Sequence, residues 1–135
     1  MSATPVVLDS YALLAFLRAE PGAAKVATLL ENAGLSDAPL HMSEVNYAEV
    51  KYTIVRKNGA HRWEEIAREL PALPIVFHPV TRALADVAAD FKARCKLSLA
   101  DAFAAALAKQ QKAELVTGDL EFKPLAKEIK IIWLK

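Results

Sequence analysis

The chain predicts an α/β fold: a three-layer α/β/α sandwich around a mostly parallel sheet. Three observations carry that expectation. Short apolar runs rich in β-branched residues recur at 5–8, 75–77, 114–117 and 129–134, with helical segments between them. Alanine supplies much of the 54% apolar fraction, which suits helices lying close against a sheet. Two of the runs are followed by an acid: Asp9 after Val6-Val7-Leu8, and Asp119 after Leu115-Val116-Thr117. Sheets of this class bind ligands beyond the carboxyl ends of their strands.

The elements follow in order. Residues 5–8 read as a short buried strand with proline only at its first position. Asp9 or Ser10 caps a helix over about 10–18, and Glu20-Pro21-Gly22 turns the chain into a helix over about 23–32. Leu40-His41-Met42 make a brief strand. Ser43 is the N-cap of a helix reaching about Lys57, which Asn58-Gly59 ends with a left-handed residue. A helix over about 61–70 stops at Pro71, and Ile75-Val76-Phe77 is a third strand. Thr81 opens a helix with Leu84, Val87, Ala88, Phe91 and Cys95 at helical spacing. Its other face, Arg82, Asp86, Asp90 and Arg94, is a solvated ladder of charges. Residues 98–112 form a helix with Phe103, Ala106 and Leu107 inward, and 114–117 a fourth strand. A helical turn near 121–127 precedes a last strand at Ile129–Leu134.

At 135 residues the chain suits a single domain, 1–135, with a real core. A net charge of +1 names no partner, but setting aside the four acids discussed next leaves a mildly basic remainder. The single cysteine, Cys95, excludes an internal disulfide and fits a reducing cytoplasm. Met1-Ser2-Ala3-Thr4-Pro5 does not read as a signal peptide, and no apolar run is long enough to cross a bilayer. His41, His61 and His78 are scattered without partners at zinc-ligand spacing.

Asp9, Glu49, Asp101 and Asp119 stand where this fold would bring them together. Two carboxylates roughly 5 Å apart at an effective dielectric of about 20 repel by on the order of 3 kcal/mol. A cation at the site would offset that, and an all-oxygen site suits a hard ion such as Mg²⁺ or Mn²⁺. Each acid also has a plainer reading. Asp9 could cap its helix, and Ser98-Leu99-Ala100-Asp101 fits a capping box. Thr117-Gly118-Asp119 could be only a turn, and Glu49 a surface helix residue like Glu44. Those readings leave the convergence of the acids on the ligand-binding side unexplained.

Four stretches carry a family resemblance: Val7-Leu8-Asp9-Ser10 with Ala12-Leu13-Leu14, Asn46-Tyr47-Ala48-Glu49-Val50, Leu97-Ser98-Leu99-Ala100-Asp101-Ala102, and Leu115-Val116-Thr117-Gly118-Asp119-Leu120-Glu121-Phe122. In this order the chain resembles the PIN-domain nucleases, and among them the VapC-type ribonuclease toxins of toxin–antitoxin pairs. The resemblance implies a metal-dependent endoribonuclease with Asp9, Glu49, Asp101 and Asp119 as an acidic quartet. Thr117 would support it through its hydroxyl, to a carboxylate or to a metal-bound water, with Ser10 a weaker candidate for that role. The metal would polarise a phosphoryl oxygen and lower the pKa of a bound water. The resemblance further implies an RNA substrate, a homodimer and a neutralising antitoxin protein.

Candidate RNA contacts are Arg56, Lys57, His61 and Arg62, together with Arg94 and Lys96 just before Asp101. Ala12, Leu13, Leu14, Phe16 and Leu17, and likewise Val50, Tyr52, Ile54 and Val55, exceed one core stripe and could supply partner surfaces. Other readings stay open: a PIN-like module that binds RNA or protein without cutting, or an RNA-processing nuclease that is not a toxin. A receiver domain fits poorly, because Asp9 is followed by Ser10 where an adjacent acidic pair is wanted.

Overall fold

The computed structural model describes residues 4–134; Met1-Ser2-Ala3 of the stretch read for a signal, and Lys135, lie outside the described residues. Strands β1 (Val6–Leu8), β2 (Leu40–Ser43), β3 (Ile75–His78), β4 (Glu114–Thr117) and β5 (Ile131–Trp133) form one sheet in the order β3-β2-β1-β4-β5. Every neighbouring pair is parallel, so the sheet is parallel throughout. Helices α1 (Ser10–Leu17), α2 (Ala23–Leu35), α3 (Glu44–Asn58) and α4 (Ala60–Glu69) pack around one core, and α5 (Arg82–Arg94) and α6 (Leu99–Gln111) around the other. This is the expected α/β/α sandwich.

Alternation along the strands divides the two cores. In β1, Val7 faces α5 and α6, whereas Leu8 faces the other layer with Leu13, Met42, Val50 and Ile54. Each such fully buried side chain contributes roughly 1.5–3 kcal/mol. Helix starts are fixed by side-chain caps: Asp9 accepts from Ala12 N at 2.8 Å, Thr81 from Leu84 N at 3.1 Å and Ser98 from Asp101 N at 3.1 Å. Ser43 accepts from Val45 N at 3.2 Å. Residues 101–108 of α6 are all buried. Five of those eight are alanine, so the helix can sit between the sheet and its neighbours on every side.

Two expectations are corrected at element ends. The helix expected to stop near 32 continues to Leu35, because nothing before Ser36 breaks it and Ser36 Oγ then donates to the Asn32 carbonyl at 2.7 Å. The last strand is only Ile131–Trp133, because the Ile129 amide bonds back to the Leu125 carbonyl at 2.9 Å and closes a turn instead.

The strand order positions the site. From β1 the chain winds outward through β2 to β3, then returns to lay β4 on the other side of β1, followed by β5. The crevice at the carboxyl ends of β1 and β4 is therefore the switch point where such sheets bind ligands. Register places Leu8 beside Val116, so Asp9 and Thr117 come next to each other one step later.

Gly118 closes this crevice. A Cβ there would meet the Tyr11 ring at 2.3 Å, a distance at which something must move. Gly118→Ala is expected to cost about 1–3 kcal/mol by overpacking, read as a lower melting temperature. Tyr11→Ala in the same chain should recover part of that loss; full additivity of the two losses would disprove the clash.

Candidate metal centre

Asp9 is delivered by the end of β1 and is 1% exposed. Both carboxylate oxygens are occupied: Oδ1 accepts from Ala12 N at 2.8 Å and Oδ2 accepts the Thr117 hydroxyl. Thr117 Oγ1 in turn accepts from Asp119 N at 2.9 Å. A continuous chain of hydrogen bonds thus runs from the Asp119 backbone to the Asp9 carboxylate. Asp119 Oδ1 accepts from Glu121 N at 2.9 Å, which starts the short 3₁₀ turn Leu120–Leu125. Asp101 sits in the first turn of α6, where the helix N-terminus favours an anion.

Asp101, Asp119 and Glu121 each offer a carboxylate oxygen, all within 4.8 Å of one another. These three residues would be the ones to hold a hard, oxygen-seeking cation. Ser10, Tyr11, Leu14, Glu49, Thr53 and Ser98 complete an open cleft of about 380 Å³ around Asp101, Asp119 and Glu121. A cleft of hard oxygen donors without a soft ligand fits Mg²⁺ or Mn²⁺.

The sequence candidates occupy different depths. Asp101 and Asp119 belong to the trio. Glu49, half-buried on α3, lines the cleft outside it, and its charge still acts on Asp101; Tyr52 donates its hydroxyl to Glu49 Oε2 at 3.4 Å. Asp9 lies beneath them, capping α1 while its charge couples to Asp101 and Asp119. Of the two roles open to Thr117, a bond to a carboxylate is the one formed. Glu121 was missed as a donor because it is exposed and follows the turn; its place two residues beyond Asp119 was the available signal.

Among the proposed RNA contacts, Arg94 is committed elsewhere. It makes a two-pronged ion pair with Glu128 at 2.7 and 2.8 Å, over the hollow that Lys112, Glu114 and Lys130 line at the amino ends of β4 and β5. Closeness to Asp101 in sequence does not become closeness in space. Lys57 lines a second hollow, of about 300 Å³, that shares Tyr11, Leu14 and Thr53 with the acidic cleft. Arg18, which the sequence did not single out, stands on the same hollow. His41 and His78, far apart in sequence, meet across β2 and β3 with Nδ1 and Nε2 2.8 Å apart. Among the described residues no third histidine, cysteine or carboxylate joins them.

Without a cation, burial pushes the Asp9 carboxyl up to about 8, with smaller contributions from Asp101 and Asp119 and opposition from the Thr117 and Ala12 bonds. Burial first and the Asp119 charge second raise Asp101 to about 7. Both acids titrate near 3.8 when unperturbed, so between there and about 8 the folded chain binds more protons than the unfolded one. Stability of the metal-free chain must therefore fall as pH rises through that window. Melting temperatures in chelator should drop between pH 5 and pH 8, and Asp9→Asn should flatten the drop. An unchanged slope in that variant would show that Asp9 is not the group responsible.

The profile of the family described as PIN domain matches residues 6–128. No curated protein matches the chain in sequence. Among solved structures it is similar to the DNA-bound VapBC of Salmonella typhimurium, with a TM-score of 0.76 and 15% identity over 98% of this chain and 100% of that one. It is also similar to the VapBC2 of Rickettsia felis bound to a promoter DNA fragment, with a TM-score of 0.74 and 15% identity over 94% and 96% of the two chains. A third similar structure is VapC20 of Mycobacterium tuberculosis, described as a Sarcin-Ricin loop cleaving toxin. Its TM-score is 0.70, with 17% identity over 88% of this chain and 93% of that one.

Proposed function

The chain belongs to the PIN domain family, and from that premise we propose that it is a metal-dependent endoribonuclease and the toxin of a toxin–antitoxin pair. The observation that carries the reading is the convergence of Asp101, Asp119 and Glu121, with Glu49 beside them and Asp9 beneath, at the switch point of a parallel sheet. The similar folds of VapBC complexes and of a toxin that cleaves the sarcin–ricin loop support the toxin assignment and its RNA substrate.

Asp101, Asp119 and Glu121 would hold Mg²⁺ or Mn²⁺ at the cleft mouth, with Asp9 supplying charge from below. Such an ion, when bound, polarises a phosphoryl oxygen and brings the pKa of water toward neutrality. The protein does the rest. Thr117 fixes the Asp9 carboxylate, and the Asp119 amide fixes Thr117. Glu49 lies outside the trio, so its carboxylate is the one left to accept a proton from attacking water. Lys57 and Arg18, on the adjoining hollow, would pair with phosphates flanking the scissile bond.

The antitoxin and a second copy of the chain would take apolar surface. Tyr52 and Val55 on α3 are exposed at 49% and 36%, unlike Val50 and Ile54 on the same helix. No described helix is long and apolar enough to cross a membrane.

The deciding experiment maps new RNA ends in bacterial cells after brief induction of this chain, against Asp101→Asn at matched expression. Sharp ends and growth arrest with the wild type alone are expected, and purified protein should lose cleavage in chelator and regain it with Mn²⁺. Equal RNA profiles from the two proteins, with Mn²⁺ bound by the wild type, would favour a binding module that does not cut. Separately, Lys57→Ala should weaken RNA binding and reduce the slope of log K against log salt by about one. An unaltered slope would remove Lys57 from the RNA path.

A further inference from the structure

Asn46, Val50 and Ile54 fall at four-residue steps on the buried stripe of α3. Two are apolar, as a core stripe requires; Asn46 is not, and it is 0% exposed. Its Nδ2 donates to Ser10 Oγ at 3.0 Å and to the Ala100 carbonyl at 3.1 Å. The Ser10 hydroxyl returns a bond to the Asn46 carbonyl at 3.3 Å. Each end of this bridge adjoins a carboxylate, since Ser10 follows Asp9 and Ala100 precedes Asp101. Glu49 lies about one turn further along α3. A single amide therefore ties together the three segments that carry Asp9, Glu49 and Asp101.

The same side chain carries a penalty. Its Oδ1 is buried without a partner among the described residues, and an unpaired buried acceptor is destabilising. An apolar residue would fill the stripe without that penalty. The arrangement suits fixed geometry better than stability.

We propose that Asn46 is a positioning residue, whose bridge from Ser10 to Ala100 sets Asp101, one of the three carboxylates that would hold a divalent cation, against Asp9 beneath it and Glu49 beside it. The proposal rests on the metal-nuclease reading above. It goes beyond the acidic quartet by assigning a role to a neutral side chain that touches none of the reacting atoms. Outer partners of this kind hold ligands in place, and their loss weakens metal binding by about 10- to 100-fold.

The test is calorimetric titration of Mn²⁺ into the full chain, with melting of the metal-free protein measured alongside. The variants are Asn46→Ala, Ser10→Ala, the double variant and Asp101→Asn. Asn46→Ala and Ser10→Ala should each weaken Mn²⁺ binding by about tenfold or more while melting cooperatively. The double variant should bind little worse than the poorer single, because both changes cut one link. A merely structural role would lower the melting temperature and leave the affinity of the folded protein within about twofold of wild type, which overturns the proposal. Should Asn46→Ala fail to fold, Ser10→Ala removes a single oxygen and decides by the same criterion. Wild type and Asp101→Asn binding Mn²⁺ equally, or neither binding it, would sink the metal-centre reading and this proposal with it. Tight wild-type binding with unaffected Asn46 and Ser10 variants would sink this proposal alone.

Discussion

A carboxylate held almost wholly out of water is the constraint around which the molecule is arranged. Asp9 is 1% exposed, and the charged groups that act on its titration among the described residues are the acids Asp101 and Asp119. Two hydrogen bonds, from the Ala12 amide and the Thr117 hydroxyl, favour its charged form, and burial opposes them with greater effect. The surrounding features follow from keeping that group in place. β4 must lie next to β1 so that Thr117 reaches it, and α1 must start where it does so that Ala12 can donate. α6 must approach closely enough for Asp101 to share its field, which the alanines of that helix permit.

The acids divide between depth and access. Asp9 organises the crevice from below, while Asp101, Asp119 and Glu121 face the open cleft at graded exposure. The open acids therefore stand on a layer that Asp9 and its hydrogen bonds hold in place. It also locates the metal-free chain's electrostatic cost in two groups, Asp9 and Asp101, whose titration burial raises most. Two basic side chains, Arg18 and Lys57, stand on a hollow that shares Tyr11, Leu14 and Thr53 with the cleft, and not among the carboxylates. Arg18 is itself partly neutralised by Glu20 at 3.0 Å.

Much of this was legible in the sequence, for identifiable reasons. Asp9 and Asp119 could be placed because strand ends in a parallel sheet point the same way, and Asp101 because Ser98 marks a helix start. In Asp9 the plain reading holds, since it caps α1, and its nearness to Asp101 and Asp119 shows that capping does not keep a residue away from the cleft. Glu121 was hidden by its exposure, Arg18 by lying just past the end of α1, outside every motif, and the true place of Arg94 by the assumption that sequence neighbours of Asp101 share its end of the sheet. The pairing of His41 with His78 depends on strand register, which composition cannot supply. Asn46 left a readable trace, an amide on an otherwise apolar stripe, yet its two partners lie on other helices and became visible only in three dimensions.

The central strand has a consequence in time as well as in space. β1 leaves the ribosome well before its neighbour β4, since Thr117 lies 108 residues beyond Asp9 along the chain. A nascent polypeptide ending before residue 114 can pair β1 only with β2, and it lacks both Thr117 and Asp119. Such local pairing forms early, whereas the distant partner must await synthesis at about 5–20 residues per second. The acidic cleft thus assembles only after β4 and the turn that follows it have been made. A growing chain that has not yet reached Thr117 and Asp119 therefore carries Asp9 and Asp101 without the cleft they belong to.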